Sequence, residues 1–189
     1  MDARSLLDFL ALAEKLKCNT RHSFTSSGRP ESVAEHSWRL ALMAFLVSDQ
    51  YPQLDMSRVI KMCLIHDLGE AVTGDIPAFV KTQSDEQNEA RALDAVLDAL
   101  SEPQKSELRT LFAEMDAQKT EEARLYKALD KIEAVIQHNE ADIATWLPFE
   151  YELQLTYGVD ECAHTPSMKA LREAVAADTR RKIEKSRQG

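Results

Sequence analysis

Three residues carry the first chemical signal: the adjacent pair His66-Asp67, which closes the apolar run Val59-Ile60-Lys61-Met62-Cys63-Leu64-Ile65, and His36, set inside an earlier apolar segment. An imidazole next to a carboxylate is costly to bury unless both are compensated. A divalent cation would compensate both at once. Glu70 and Asp75 follow within a turn-forming segment, so four ionisable groups lie between positions 66 and 75. Asp130 stands among the small side chains Ala123, Ala134 and Ala141, which allow close approach by a neighbouring element, and off the apolar stripe of Leu125, Leu129, Ile132 and Ile136. Such a set could support metal-assisted hydrolysis. Singly, each residue has a plainer reading: a satisfied core histidine, a chance dipeptide, a solvated aspartate.

These residues need helices to hold them. Leu6, Leu7, Phe9, Leu10, Ala13 and Leu16 recur at helical spacing and predict a helix over about 3–17. Residues 18–31, with Asn19, Ser26, Ser27, Gly28 and Pro30, have a loop composition. Ser32-Val33-Ala34-Glu35 reads as a capping box that starts a second helix reaching about Gln50. On that helix Val33, His36, Leu40, Met43 and Val47 share one face, and Ala34, Trp38, Ala41 and Phe45 form a second apolar face. The second helix is therefore expected to be central and mostly buried.

A third helix is predicted from the cap Asp55 to His66-Asp67, with Val59, Ile60, Met62, Cys63, His66 and Asp67 facing inward. The two glycines and the proline of Leu68–Pro77 end it and open a turn. Ser84-Asp85-Glu86-Gln87 reads as another capping box for a helix to about Leu100, and further helices are expected near 104–117 and 121–146. A final amphipathic helix carries Leu171, Val175 and Ile183; Phe149–Thr165 has no clear assignment, and no strand is evident.

Composition narrows the class. With 189 residues the chain is long enough for one domain with a substantial core. A net charge of −9 argues against duplex nucleic acid as a partner, although a local cation would still admit a small anionic substrate. Cys18, Cys63 and Cys162 show no Cys-x-x-Cys spacing and point to reduced thiols in a cytoplasmic protein, with Cys63 as packing. There is no apolar run long enough for a membrane span and no signal-type N-terminus, so a membrane is not an expected partner.

The order His36…His66-Asp67…Asp130 resembles the metal signature of the HD-domain phosphohydrolase superfamily. The extended motifs Arg29-Pro30-Glu31-Ser32-Val33-Ala34-Glu35-His36-Ser37 and His66-Asp67-Leu68-Gly69-Glu70-Ala71-Val72-Thr73-Gly74-Asp75-Ile76-Pro77 resemble its 5′-deoxynucleotidase branch. The likeness covers roughly residues 5–145. It implies an all-α bundle of about six to eight helices, with a metal site between central helices. The chain then reads as a single HD domain over 1–189, its core about 5–145 and its C-terminal helical extension about 146–189.

Carried over by position, the resemblance implies His36, His66, Asp67 and Asp130 as ligands of one divalent metal. Mn, Co, Ni, Fe, Zn and Mg all suit such a set. No histidine lies between His66 and Asp130, while His138 and His164 come after it, which favours one metal over a di-iron arrangement. Glu70 is the expected group to orient or deprotonate water, and Asp75 resembles the family's second catalytic acid. Arg21 takes the place of the family's phosphate-binding arginine. His22 follows it where a bulky aromatic is common, which leaves the sugar preference open. Arg29 and Lys81 are further cations, read respectively as a lead into the helix cap and as solvated.

The function this implies is removal of the 5′-phosphate from (deoxy)nucleoside monophosphates by a homodimeric enzyme. Its rivals are an HD hydrolase acting on a dNTP, a cyclic nucleotide or an alarmone, and a catalytically silent HD-fold binding protein. Glu70 and Asp75 speak against the last, since a structural metal does not require them.

Overall fold

A computed structural model describes residues 2–188. Side-chain caps start most of the longer helices. Asp2 accepts from the backbone of Arg4 and Ser5 to begin α1 (Ala3–Ala13), which passes into a 3-10 turn at Glu14–Lys17. Ser32 and Glu35 form the expected capping box of α2 (Val33–Leu46), and Asp55 caps α3 (Met56–Ile65) through Arg58 N. Each such cap stabilises its helix by about 1 kcal/mol. A single-turn helix, α4 (Glu70–Thr73), follows within the predicted turn. Next come α5 (Gln83–Asp98), α6 (Gln104–Ala117) and α7 (Glu121–Glu140). The chain ends with α8 (Glu150–Thr156), α9 (Val159–Cys162) and α10 (Pro166–Ser186).

The all-α expectation holds: eight of these ten helices exceed a single turn. Helices α2 and α3 pack on each other and both rest on α7. Their shared core is Val33, Leu40, Val59, Met62, Cys63, Leu129, Ile132 and Val135, all fully buried. Helices α9 and α10 cover another part of α7, and α8 packs against α10. Among the described residues no helix is long and apolar enough to cross a membrane.

Several local expectations change, among them the end of α2, which falls at Leu46 with a separate 3-10 turn at Ser48–Gln50. The predicted loop at 18–31 contains a hairpin, β1 (Thr20–Phe24) antiparallel to β2 (Pro30–Ser32), with Thr20 opposite Ser32 and Phe24 opposite Pro30. Polar three- and five-residue strands give no alternation to read. They form because α7 supports them: Gln137 Nε2 donates to the Phe24 carbonyl at 2.5 Å.

The second apolar face of α2 is not buried, for Trp38 is 63% exposed and Phe45 62%. Helix α5 is capped by Thr82, with Asp85 reaching back to the Thr82 backbone, two residues before the expected Ser84. Helix α7 stops at Glu140, not 146, because Ala141 turns extended and Asp142 caps a separate 3-10 turn, Ile143–Thr145. No proline or glycine marks that stop. The Trp146 indole then folds back to donate to the His138 carbonyl at 3.0 Å. The unassigned stretch Phe149–Thr165 forms α8 and α9.

Candidate metal centre and its pocket

Helix α2 presents His36 from its buried face, α3 ends at His66, and α7 supplies Asp130. After α3 the chain continues in tight turns, Leu68 N to Ile65 O at 2.9 Å and Glu70 N to Asp67 O at 3.0 Å, so Asp67 and Glu70 remain close in space. Gly69 sits against α5, where an added Cβ would lie 3.3 Å from the Glu89 carbonyl. Gly74 ends α4 at φ +75°, a conformation L side chains rarely adopt, and releases Asp75 towards the pocket. Asn19 Nδ2 holds this segment by donating to the Glu70 carbonyl at 2.5 Å.

Four of the expected side chains converge. Candidate ligand atoms of His36, His66 and Asp67 lie within 4.8 Å of one another. Asp130 Oδ1 is 3.2 Å from His36 Nε2 and 3.7 Å from His66 Nε2, and Asp67 Oδ2 is 3.1 Å from His66 Nε2.

The tautomers decide what this cluster can hold. His66 Nδ1 is 2.9 Å from the Cys63 carbonyl, which can only accept, so that nitrogen carries the proton. His36 Nδ1 faces the Glu133 carboxylate, whose other oxygen accepts from Arg39 Nε at 2.5 Å. In the neutral rings, both Nε2 lone pairs therefore turn towards carboxylate oxygens. Lone pairs facing lone pairs at these distances call for a proton on each Nε2 or a metal cation between them. Two imidazoles and two carboxylates fit a divalent metal, and Glu133 and Cys63 O supply the orienting contacts that metal-bound histidines commonly have.

In the metal-free protein the His36 imidazole itself carries positive charge: against burial and Arg21, hydrogen bonds to Asp130 and Glu133 raise it to about 9. Burial resists ionisation of Asp67, yet the neighbouring His66, His36 and Arg21 hold its carboxyl down to about 2. Asp130 is held well below the usual range against burial, chiefly by Lys127 and His36. Glu70 differs: burial, reinforced by Asp67 and Asp75, pushes it up to about 9. Asp75 is likewise raised, first by burial. Arg21 lies 3.5 Å from Asp67 Oδ2 through Nη1 and 3.4 Å from Glu31 Oε2 through Nε. Arg21 Nε, Asp67 Oδ2 and Glu70 Oε2 are buried without a hydrogen-bond partner among the described residues.

Above this cluster opens a cavity of about 590 Å³ whose lining includes Arg21, His22, Asp67, Glu70, Asp75 and Asp130. Lys81 also lines it and pairs with Glu89, which corrects its reading as a solvated lysine. Arg29 instead forms an exposed ion pair with Glu35 at the start of α2, as its place before the cap suggested. Cys63 is buried and free.

Sequence reasoning missed Lys127, Lys131, Glu133 and Glu150. Lys127 Nζ donates to Asp130 Oδ2 at 2.9 Å, and Lys131 Nζ donates to Tyr157 Oη at 2.8 Å. One signal was available: Lys127, Lys131, Ala134 and His138 recur at helical spacing on the side of α7 that lines the cavity. Glu133 had none, because an acidic residue between core positions looks like any solvated one.

Comparison with known proteins agrees with this geometry. Residues 13–172 match the HD domain family, to which the chain belongs. The chain is 34% identical over 142 residues to human 5′-deoxynucleotidase HDDC2, covering 73% of this chain and 69% of that protein. The Dictyostelium discoideum protein of the same name is 34% identical over 144 residues, covering 71% and 76%. Among solved structures, a protein from Magnetospirillum magnetotacticum MS-1 described as a predicted metal-dependent phosphohydrolase superposes with a TM-score of 0.79. It shares 28% identity and covers 95% of this chain and 93% of its own.

Proposed function

We propose that this chain is a metal-dependent 5′-deoxynucleotidase that hydrolyses deoxynucleoside monophosphates to nucleoside and phosphate. The observation that carries the reading is the convergence of two imidazole Nε2 atoms and two carboxylates on one point, beneath a cavity lined by Arg21, Glu70 and Asp75. The named 5′-deoxynucleotidase relatives support the substrate class.

His36, His66, Asp67 and Asp130 would hold the metal. Bound there, a divalent cation supplies Lewis-acid polarisation of the phosphate and makes water more acidic. The remaining work falls to the chain itself. Arg21, held by Glu31 through Nε and by Asp67 through Nη1, lines the cavity and turns the rest of its guanidinium fork to phosphate oxygens. Glu70, with its unpartnered Oε2, orients the attacking water; beside a bound cation, the burial and the Asp67 and Asp75 charges that keep Glu70 protonated are offset, and it is free to take the water's proton. Asp75, its carboxyl raised by burial, lines the cavity as the acid placed to give a proton to the leaving 5′-oxygen. A cavity of about 590 Å³ accommodates a nucleoside monophosphate.

Two coarser features belong to the same reading. The free cysteines Cys18, Cys63 and Cys162 suit the reducing cytoplasm. The exposed stripe Trp38, Leu42, Phe45 and Leu46 on α2, with Leu6, Leu7 and Leu10 on α1, offers apolar surface for a homodimer.

The test is phosphate release. Protein stripped by a chelator and reloaded with Mn²⁺ or Co²⁺ is assayed with dNMPs, NMPs, dNTPs and a guanosine alarmone. Release from dNMPs that depends on added metal is expected. No release from any dNMP overturns the reading.

A further inference from the structure

Away from His36 and His66, the same cavity holds a second cluster in which imidazole nitrogens face a carboxylate. His22 comes from β1, His138 from the last turns of α7, and Glu150 opens α8. Glu150 Oε1 is 3.0 Å from His22 Nε2 and 3.1 Å from His138 Nε2, and ligand atoms of all three lie within 4.8 Å of one another. Glu150 is 1% exposed, and its Oε2 accepts from Leu147 N at 2.6 Å, which turns Oε1 towards the two rings.

His138 Nδ1 is 3.0 Å from the Ala134 carbonyl and must donate to it. In the neutral ring, His138 Nε2 then points a lone pair at a carboxylate oxygen. This is the same mismatch seen at His36 and His66. A separate observation points to a ligand as well. Gln154, one turn beyond Glu150 on α8 and 4% exposed, lines the cavity with a buried Oε1 that has no partner among the described residues.

We propose that His22, His138 and Glu150 form a second divalent-cation site, separate from the His36, His66, Asp67 and Asp130 cluster. Two imidazoles and one carboxylate suit Zn²⁺, with a further position left for water or a ligand in the cavity. The cation joins three elements that follow different folding rules, a hairpin strand, a long core helix and a short late helix. Occupancy therefore ties the C-terminal part of the chain to the pocket. This site does not depend on the activity proposed above.

The experiment counts metal. Chelator-stripped protein is dialysed against Zn²⁺ and its metal content measured, with Co²⁺ loading and its visible spectrum as a second readout. Wild type is expected to bind about two Zn²⁺ per chain, and Glu150→Gln, His22→Gln and Asp67→Ala about one each. His22→Gln, on a partly exposed strand, serves if Glu150→Gln folds poorly. Wild type saturating at one ion that Asp67→Ala loses and Glu150→Gln keeps overturns the second site and leaves the first intact. The reverse pattern, with the single ion lost in Glu150→Gln and kept in Asp67→Ala, upholds the His22 site and overturns the assignment of the first.

Discussion

Two histidine–carboxylate clusters share one cavity, and their surroundings differ. At the first, both rings rest on core helices, His36 is fully buried, and each Nδ1 is committed, to Glu133 or to the Cys63 carbonyl. Asp67, Asp130, Glu70 and Asp75 give that end a surplus of acids, which Arg21 and Lys127 partly offset. At the second, His22 is on a short hairpin, Glu150 is the lone acid among the three, and only His138 has its Nδ1 tied to a backbone carbonyl. Rigid placement and excess negative charge thus mark the first as a place for chemistry. The second has the geometry for a cation without neighbouring acids for proton transfer.

The largest test of that contrast is Asp67→Ala. Phosphate release is expected to fall by about 10³-fold or more, with loss of the ion from the first cluster, measured by metal content alongside steady-state rates. Equal activity in wild type and variant would remove the distinction between the two clusters. Glu70→Gln comes next: kcat should drop by about 10²- to 10⁴-fold while metal content stays at the wild-type value. Full activity in this variant would mean that another group handles the water.

Glu133→Gln probes the orienting contact on His36. Metal affinity at the first cluster is expected to weaken by about 10- to 100-fold, read by competition with a chromophoric chelator. Zn²⁺ binding at the His22 cluster should not move, and a parallel loss there would join the two sites into one.

The smallest expected effect is a pH slope in metal-free protein. Glu70 is raised from 4.5 to about 9, so the folded state holds a proton that the unfolded chain releases. Its stabilising contribution is complete below pH 4.5 and disappears as pH rises through about 9. Thermal midpoints of the stripped protein should therefore fall across that window, and those of Glu70→Gln should fall less. Identical slopes would show that the acid cluster around Asp67 does not restrain this carboxyl.

The first cluster was legible because its ligands sit on strongly periodic segments. His36 and His66 fall in step with Val33, Leu40, Val59, Met62 and Cys63, so pattern alone turns them inward. The capping boxes and the cap at Asp55 could be read for the same reason, each being a local contact between near neighbours. Periodicity failed for Trp38 and Phe45, since an apolar residue at helical spacing reveals a face but not whether anything packs on it. The hairpin at Thr20–Phe24 was invisible because its support, Gln137, lies 113 positions from Phe24, and the end of α7 at Glu140 because its local contacts, the Asp142 cap and the Trp146 indole, come without a proline or glycine.

The sequence by itself therefore determined the central helices, the inward direction of His36, His66 and Asp67, and the clustering of Glu70 and Asp75 after them, all consequences of short-range spacing. Only the tertiary structure decided that Glu133 orients His36, that Lys127 and Lys131 face the pocket, and that His22 meets His138 and Glu150. Those pairings span about a hundred positions or more for Glu133 and for the approach of His22 to Glu150. Hydrophobic patterning sets which side of an element is buried. Which polar groups then meet across elements is fixed by how the elements pack.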